Sequence, residues 1–166
     1  MTDIYAMFYG PDVTGDSQDQ LNQSWIEIDT LQTSFNMPTT GARSGSGSAT
    51  SGKVNMGDFI FTKNMDTSSL PLTKHAWQGT HFQKINFKMY RAFENGRACY
   101  IDILLEDSVI NMCSTSGMGG LGLPSESYSI NYGKIFVKYT PTEKDTGKPS
   151  SNTVTAGYNR ITNKAS

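Results

Sequence analysis

Apolar and polar residues alternate with a period of two along much of the chain. Ile4, Ala6 and Phe8 alternate with Tyr5, Met7 and Tyr9, and Ile26 and Ile28 with Trp25, Glu27 and Asp29. Ile85, Phe87 and Met89 alternate with Lys84, Asn86 and Lys88, and Cys99, Ile101, Ile103 and Leu105 with Tyr100, Asp102, Leu104 and Glu106. Successive side chains of a strand point to opposite faces, so these segments read as strands with one wetter face. The run 53–63 reads as another strand, with Phe59 and Phe61 on one face and Ile60 on the other. In 127–139 the phase changes: Tyr128, Ile130 and Tyr132 are even, Ile135, Val137 and Tyr139 are odd, and the shift falls at Gly133. One extra residue in a strand turns every later side chain over, so a β-bulge is expected there. Such bulges bend long strands, as barrel closure requires.

One segment, 69–79, reads as a helix. Ser68 or Ser69 suits its cap, Pro71 its first turn and Gly79 its stop. Leu70, Trp77 and the Leu72/Ala76 pair form its apolar side, which is expected to pack on the end or side of a barrel. Three stretches read as loops: the polar segment 10–23, the nearly apolar-free segment 38–52, and the glycine-rich segment 114–125. A structureless loop as long as 38–52 is uncommon inside a domain, so it is expected to be either disordered or ordered by a partner. The expected fold class is therefore mainly β: antiparallel strands forming a barrel, one short flanking helix and a long extended Gly/Ser loop.

Composition narrows the functions. At 166 residues the chain is expected to be a single domain, 1–166, with a core large enough to need no metal or disulfide. Hydrophobic residues make up only 36%, and the 18 aromatics compensate because each buries a large area. Fifteen acids against fourteen bases give a net charge of -1, which argues against a general nucleic-acid binder. The longest aliphatic run is Ile103-Leu104-Leu105, so no membrane insertion is expected. The Met1-Thr2-Asp3 start carries neither basic residues nor an apolar stretch, so no cleaved signal peptide is expected. Cys99 and Cys113 then read as two reduced, buried thiols.

Several motifs imitate chemistry without its machinery. Gly47-Ser-Ala-Thr-Ser-Gly52-Lys53 matches the start of a phosphate-binding loop, but Val54 stands where a magnesium-binding hydroxyl belongs, and a strand follows instead of a helix. Gly117-Met-Gly119-Gly-Leu-Gly122 runs into Leu123-Pro124, not a helix, and reads as a turn. His75 and His81 lack helical spacing and an obvious ligand shell, so no metal, cofactor or catalytic triad is assigned. Asp12, Asp16 and Asp19 do not fit a calcium loop and read as solvated or partner-facing. Lys84, Lys88, Arg91 and Arg97 surround Tyr90 and Phe93, and read as the wet face of a hairpin turning at Asn95-Gly96.

The order of motifs resembles the haemolysin-coregulated protein (Hcp) family, the tube protein of type VI secretion. The likeness includes the Asp3-Ile4-Tyr5 strand, Gly15-Asp16-Ser17-x-Asp19 and Trp25-Ile26-Glu27-Ile28. A Gly/Ser loop then leads to Gly52-Lys53-Val54 and Asp58-Phe59-x-Phe61-Thr62-Lys63-x-x-Asp66. Gly79-Thr80-His81-Phe82, the 100–107 strand and Glu126-x-x-Ser129-Ile130-x-Tyr132-Gly133-Lys134-Ile135 complete it. The Phe-Thr-Lys-x-x-Asp block is the most specific part, and it marks Phe59, Phe61, Thr62, Lys63 and Asp66 as structural motif residues.

The resemblance implies a non-enzymatic tube subunit without cofactors, forming six-membered rings that stack inside a contractile sheath. Assembly would be cytoplasmic, followed by expulsion with a spike-tip protein and effectors, some of them chaperoned in the channel. Arg43, Ser44, Gly45, Ser46, Gly47 and Lys53 of the long loop are the candidates for ring stacking, with Arg43 meeting Asp12, Asp16 or Asp19 of another ring. Two other classes fit the residues alone. One is a secreted β-sandwich that binds carbohydrate as a monomer; the other is a hydrolase, for which no convergent catalytic set is visible.

Overall fold

Burial follows the alternation of the strands: Phe8, Phe59, Phe61, Ile85, Phe87, Ile103, Leu105, Tyr128 and Ile130 all point into one core. The computed structural model describes residues 2–39, 41, 52–120 and 122–166. Among these, the elements run β1 (Thr2–Tyr9), β2 (Ile26–Ile28), β3 (Thr30–Gln32), β4 (Phe35–Asn36), β5 (Asn55–Met56) and β6 (Phe59–Asn64). Then come α1 (Ser69–Trp77), β7 (Phe82–Phe93), β8 (Gly96–Ser116), β9 (Ser125–Tyr139), β10 (Val154–Asn159) and β11 (Lys164–Ala165).

All strand pairs are antiparallel. β1 pairs with β2 and β7, β7 with β8, β8 with β9, β9 with β6, and β6 with β3. Only Asp29 separates β2 from β3, and its amide donates to the Thr62 carbonyl at 2.8 Å. The run Ile26–Gln32 thus joins β1 at one end and β6 at the other, and the pairing path returns to its start. Closure removes the free edges an open sheet would expose. The C-terminal hairpin β10–β11 extends the far half of β9.

The change of face at Gly133 is present, but not as a bulge. Pairing of β8 with β9 keeps one register from Ile101↔Tyr139 to Ile110↔Ile130. The partner strand turns over at the same place: Ile103 and Leu105 are buried before Asp107, Ser108 and Ile110 after it. In β7 the switch lies between Phe82 and Ile85, across Gln83, whose amide donates to the Gly10 carbonyl at 3.1 Å. Gly10, Gln83, Asp107 and Gly133 therefore form a crease running across four strands. The backbone there is special: φ is 59° at Gly10 and 52° at Asp107. A Cβ on Gly10 would lie 2.6 Å from the Gln83 side chain. The true register shifts lie at Met89/Tyr90 and Ile110/Met112. The first buries Tyr90, where simple alternation from Ile85 would bury Met89.

Two other expectations change. The 53–63 run breaks at Gly57–Asp58, where the Gly57 amide donates to the Ser34 carbonyl at 2.8 Å. Its first part, β5, leaves the barrel and pairs with β4 as a separate two-stranded arm. The hairpin between β7 and β8 turns at Glu94-Asn95, one residue earlier than expected.

The helix is where expected, but it presents a different face. Its inner side is Ser69, Leu72, Thr73 and Ala76, spaced at three and four residues, with Leu72 fully buried. Leu70 and Trp77 are 73% and 83% exposed, so neither anchors the helix to the barrel. Capping falls to Asp66, not to a serine side chain: its carboxylate accepts from the Ser68 amide at 2.9 Å. Gly79, with φ 62°, ends the helix as expected, its amide bonding the Ala76 carbonyl at 3.2 Å. Trp77→Ala is therefore expected to move the denaturation midpoint by no more than about 0.5 kcal/mol, the usual range for an exposed site. A loss near the cost of truncating a core aromatic would put the indole inside.

Candidate functional site: motif node, arm and exposed apolar faces

The block Phe59 to Asp66 forms one structural node. Phe59 and Phe61 are fully buried, and Thr62 Oγ1 lies 2.6 Å from Thr30 Oγ1 across the β3–β6 pair. Lys63 points inward and is fully buried. Its Nζ lies 2.7 Å from Asp66 Oδ1 and 2.9 Å from Glu126 Oε2, and donates to Ser69 Oγ at 2.8 Å and to the Asn64 carbonyl at 3.0 Å. Glu126 Oε2 also accepts from Ser69 Oγ at 2.7 Å and from Tyr128 OH at 3.1 Å. Burial, then the nearby Cys113 and Glu126, push the Tyr128 phenol up, keeping it a donor. One ammonium thus ties β6, β9 and the start of α1 together.

The acidic first loop is partly spent on the fold itself. Asp16 accepts from Thr67 Oγ1 and from the Thr67 amide at 3.1 Å, and these bonds hold its carboxyl below the usual range. Asp19 is drawn inward to Arg97, which also reaches Asp3. Burial works against the Asp19 charge, but hydrogen bonds from Arg97, Asn22 and Leu21 outweigh it and lower the pKa. Asp12 accepts from the Gly10 amide at 3.2 Å. Asp19 is therefore engaged within its own subunit. The acids that do gather are Asp16, Glu27, Asp29 and Asp66, around a cleft of about 290 Å³ that also contains Met65 and Leu123.

The remaining candidates stay apart. Arg97 lies against the rings of Tyr5 and Tyr90, Lys88 over Trp25 and Arg91 over Tyr100, each cation 5.0 to 5.8 Å from the ring centroid. His75 Nδ1 meets Thr80 Oγ1 at 3.1 Å, while exposed His81 meets Asp107 at 3.3 Å. No group of three or more His, Cys, Asp or Glu suited to a metal occurs among the described residues. Cys99 and Cys113 are free thiols, half-buried where full burial was expected, and burial pushes the Cys99 thiol up. No described helix is long and apolar enough to cross a membrane.

Of the stacking candidates, Lys53 is exposed just before β5, whereas Arg43, Ser44, Gly45, Ser46 and Gly47 lie outside the described residues. The arm that carries this loop exposes Phe35 at 72% and also Met37. Two further exposed apolar groups occur. One is Leu70, Trp77 and Met112 around α1; the other is the cross-strand pair Tyr139 and Val154 of β9 and β10, while Phe136 is exposed on the opposite face of β9. Alternation and helical spacing predict which residues line a face. They do not reveal that Trp77 faces outward or that the C-terminal residues form a hairpin.

Comparison with known proteins is consistent from sequence to fold. The family described as "Type VI secretion system effector, Hcp" matches residues 5–139. Protein hcp1 of Pseudomonas aeruginosa is 30% identical over 148 residues, covering 89% of this chain and 90% of the relative. The solved structure of a type six secretion system protein shares the fold at a TM-score of 0.90, with 24% identity and full coverage of both chains. Hcp1 from Salmonella typhimurium shares it at 0.78, with 23% identity and 99% coverage of each chain.

Proposed function

Because the chain belongs to the Hcp family, the tube protein of type VI secretion, we propose that it acts as a single-domain subunit of hexameric rings. These rings stack into a tube inside a contractile sheath. The tube is assembled in the cytoplasm without a cleaved signal and expelled behind a spike-tip protein, with effectors sheltered in its channel. In this reading the subunit performs no chemistry of its own and needs no cofactor.

The arm is the observation that carries the stacking part. The barrel closes on itself without β4 and β5, yet the chain extends this two-stranded arm and exposes Phe35 on it. Lys53 at the arm and Arg43 in its loop supply positive charge, and the Asp16–Glu27–Asp29–Asp66 cleft supplies the complement on another ring. Ordering a Gly/Ser loop costs roughly 1–2 kcal/mol of backbone entropy per residue, so each axial contact is weak and six act together.

Replacing 41–51 by a tight turn is expected to leave hexameric rings while abolishing tubes and secretion. Negative-stain imaging and assay of the culture medium read this out. Collapse to monomers would assign the loop to the lateral interface instead. Normal tubes and secretion would deny it any role in assembly.

A further inference from the structure

We propose that the outer face of the β7–β8–β9 sheet docks an acidic amphipathic helix of a partner protein. The strand register arranges this face in rows that run across the strands. One row is Lys84, Glu106 and Lys134, and another is Lys88, Asp102 and Lys138. Between them lies the row Asn86, Leu104 and Phe136, continued by Met7 of β1 on one side and Gly157 of β10 on the other. Alternation keeps all of these opposite the buried Ile85, Phe87, Ile103, Leu105 and Ile135. The face is therefore a largely apolar stripe between two lysine–carboxylate–lysine rows.

Four lysines against two carboxylates leave this face cationic on a chain whose net charge is -1. Among the described residues Lys134 pairs with Glu106 at 3.4 Å, and Lys84, Lys88 and Lys138 have no ion-pair partner. Asp102 accepts from the Asn86 side-chain amide at 2.6 Å, and Lys88 lies 5.2 Å from the centre of the Trp25 ring. The next acid along that row is Glu27, two strands away beyond Tyr5. The stripe ends in a cleft of about 500 Å³ under the β10–β11 hairpin, where Leu104, Phe136 and Ala165 meet Lys134 and Lys164. That volume falls within the roughly 300–1,000 Å³ range of clefts that enclose small ligands, so it has room for one large side chain.

The two charged rows lie four residues apart along each strand, about 13 Å at roughly 3.3 Å per residue. An α-helix with its side chains is about 10–12 Å across, so a helix lying along the stripe sets one flank over each row. Its apolar residues at i, i+3, i+4 and i+7 meet Leu104 and Phe136, and acids on its two flanks meet the lysines. The carboxylate in the middle of each row selects against a continuous polyanion. Isolated acids on a helix can sit at the lysines alone, whereas a nucleic-acid backbone or an anionic lipid surface also meets Asp102 and Glu106. The α1 helix of a second copy does not fit, because it carries no acid and has Lys74 and His75 in its last turn.

The probe is a fluorescently labelled helical peptide with Leu along one stripe and Glu on both flanks, titrated with the full chain and read by anisotropy. The wild-type protein is expected to bind it, with affinity falling as salt rises. Phe136→Ser, and Lys84→Glu combined with Lys138→Glu, should each weaken binding by about tenfold or more at unchanged denaturation midpoints. The lysine-reversed protein should instead bind the same peptide with Lys in place of Glu, a gain that misfolding cannot produce. No binding of the Glu peptide by the wild type, or binding that survives both variants, would overturn the proposal. Equal binding of a single-stranded oligonucleotide or of phosphatidylserine vesicles would assign the face to polyanions in general, and also overturn it. Rings that form in the wild type but not in the lysine-reversed protein would give the face to a neighbouring copy, with the same consequence.

Discussion

Lys63→Met is expected to destabilise the subunit by about 3–5 kcal/mol, the cost of leaving a buried charge without its partner. Removing the ammonium strands Glu126, which is only 2% exposed and keeps just the Ser69 and Tyr128 hydroxyls as donors. Its desolvation is then no longer offset by an opposite charge. Asp66→Ala should cost less, about 0.5–2 kcal/mol, because Asp66 is partly solvated and its principal loss is the helix cap. The pair Lys63→Met with Glu126→Leu should recover much of the loss, since an apolar replacement of a buried ion pair is often neutral or better. Urea denaturation of the three variants decides it, read as midpoints at constant slope. Equal losses for Lys63→Met and the double variant would mean that packing around the lysine stem, not charge, holds the node.

This node shows why a short block could signal a whole fold. A lysine flanked by buried aromatics is odd on a strand, because lysine is almost never fully buried unless paired. The acid three residues on, Asp66, is visible in the sequence as a partner. Glu126 is not, since it lies sixty-three positions away and only the β6–β9 pairing brings it near.

The segments with clean alternation, Ile26–Ile28 of β2 and 85–87 of β7, were legible because each buries one face. Val154–Asn159 was not: its first residues are exposed on both faces, so no apolar-in, polar-out contrast marks them. The crease was half legible. The phase change at Gly133 could be read from one strand, but the unbroken register could be seen only against β8, which turns over at Asp107. Trp77 misled for a related reason. Burial of large apolar residues is a tendency within a subunit, and Trp77 on the outer face of α1 is an exception to it.

Phe61→Ala is expected to be as damaging as loss of the lysine, at the upper end of the roughly 3–5 kcal/mol range for truncating a buried phenylalanine. Phe61 is fully buried and meets three aromatic rings from three other strands. Its ring stacks on Tyr128 of β9 at 5.0 Å and 10°, and lies 5.5 Å from Phe87 of β7 and 6.2 Å from Phe8 of β1. Truncation therefore opens a void between opposite walls of a closed barrel, and closure limits how far those walls can collapse to fill it. Aromatic pairs also contribute about 0.5–1.5 kcal/mol beyond their buried area, so Phe61→Leu should keep most of the packing yet still lose part of that increment. Subunits of this size commonly have about 5–15 kcal/mol of stability in total, which makes the alanine variant marginal. Ring formation would hide much of the loss, because a partner that binds only the folded subunit stabilises it by mass action. The comparison therefore belongs at protein concentrations low enough to keep the subunit monomeric, checked by sedimentation. There Phe61→Ala should fall well below Phe61→Leu in denaturation midpoint. Similar midpoints for the two would show that the barrel does collapse around the missing ring, and that the aromatic cluster is not what holds its walls apart.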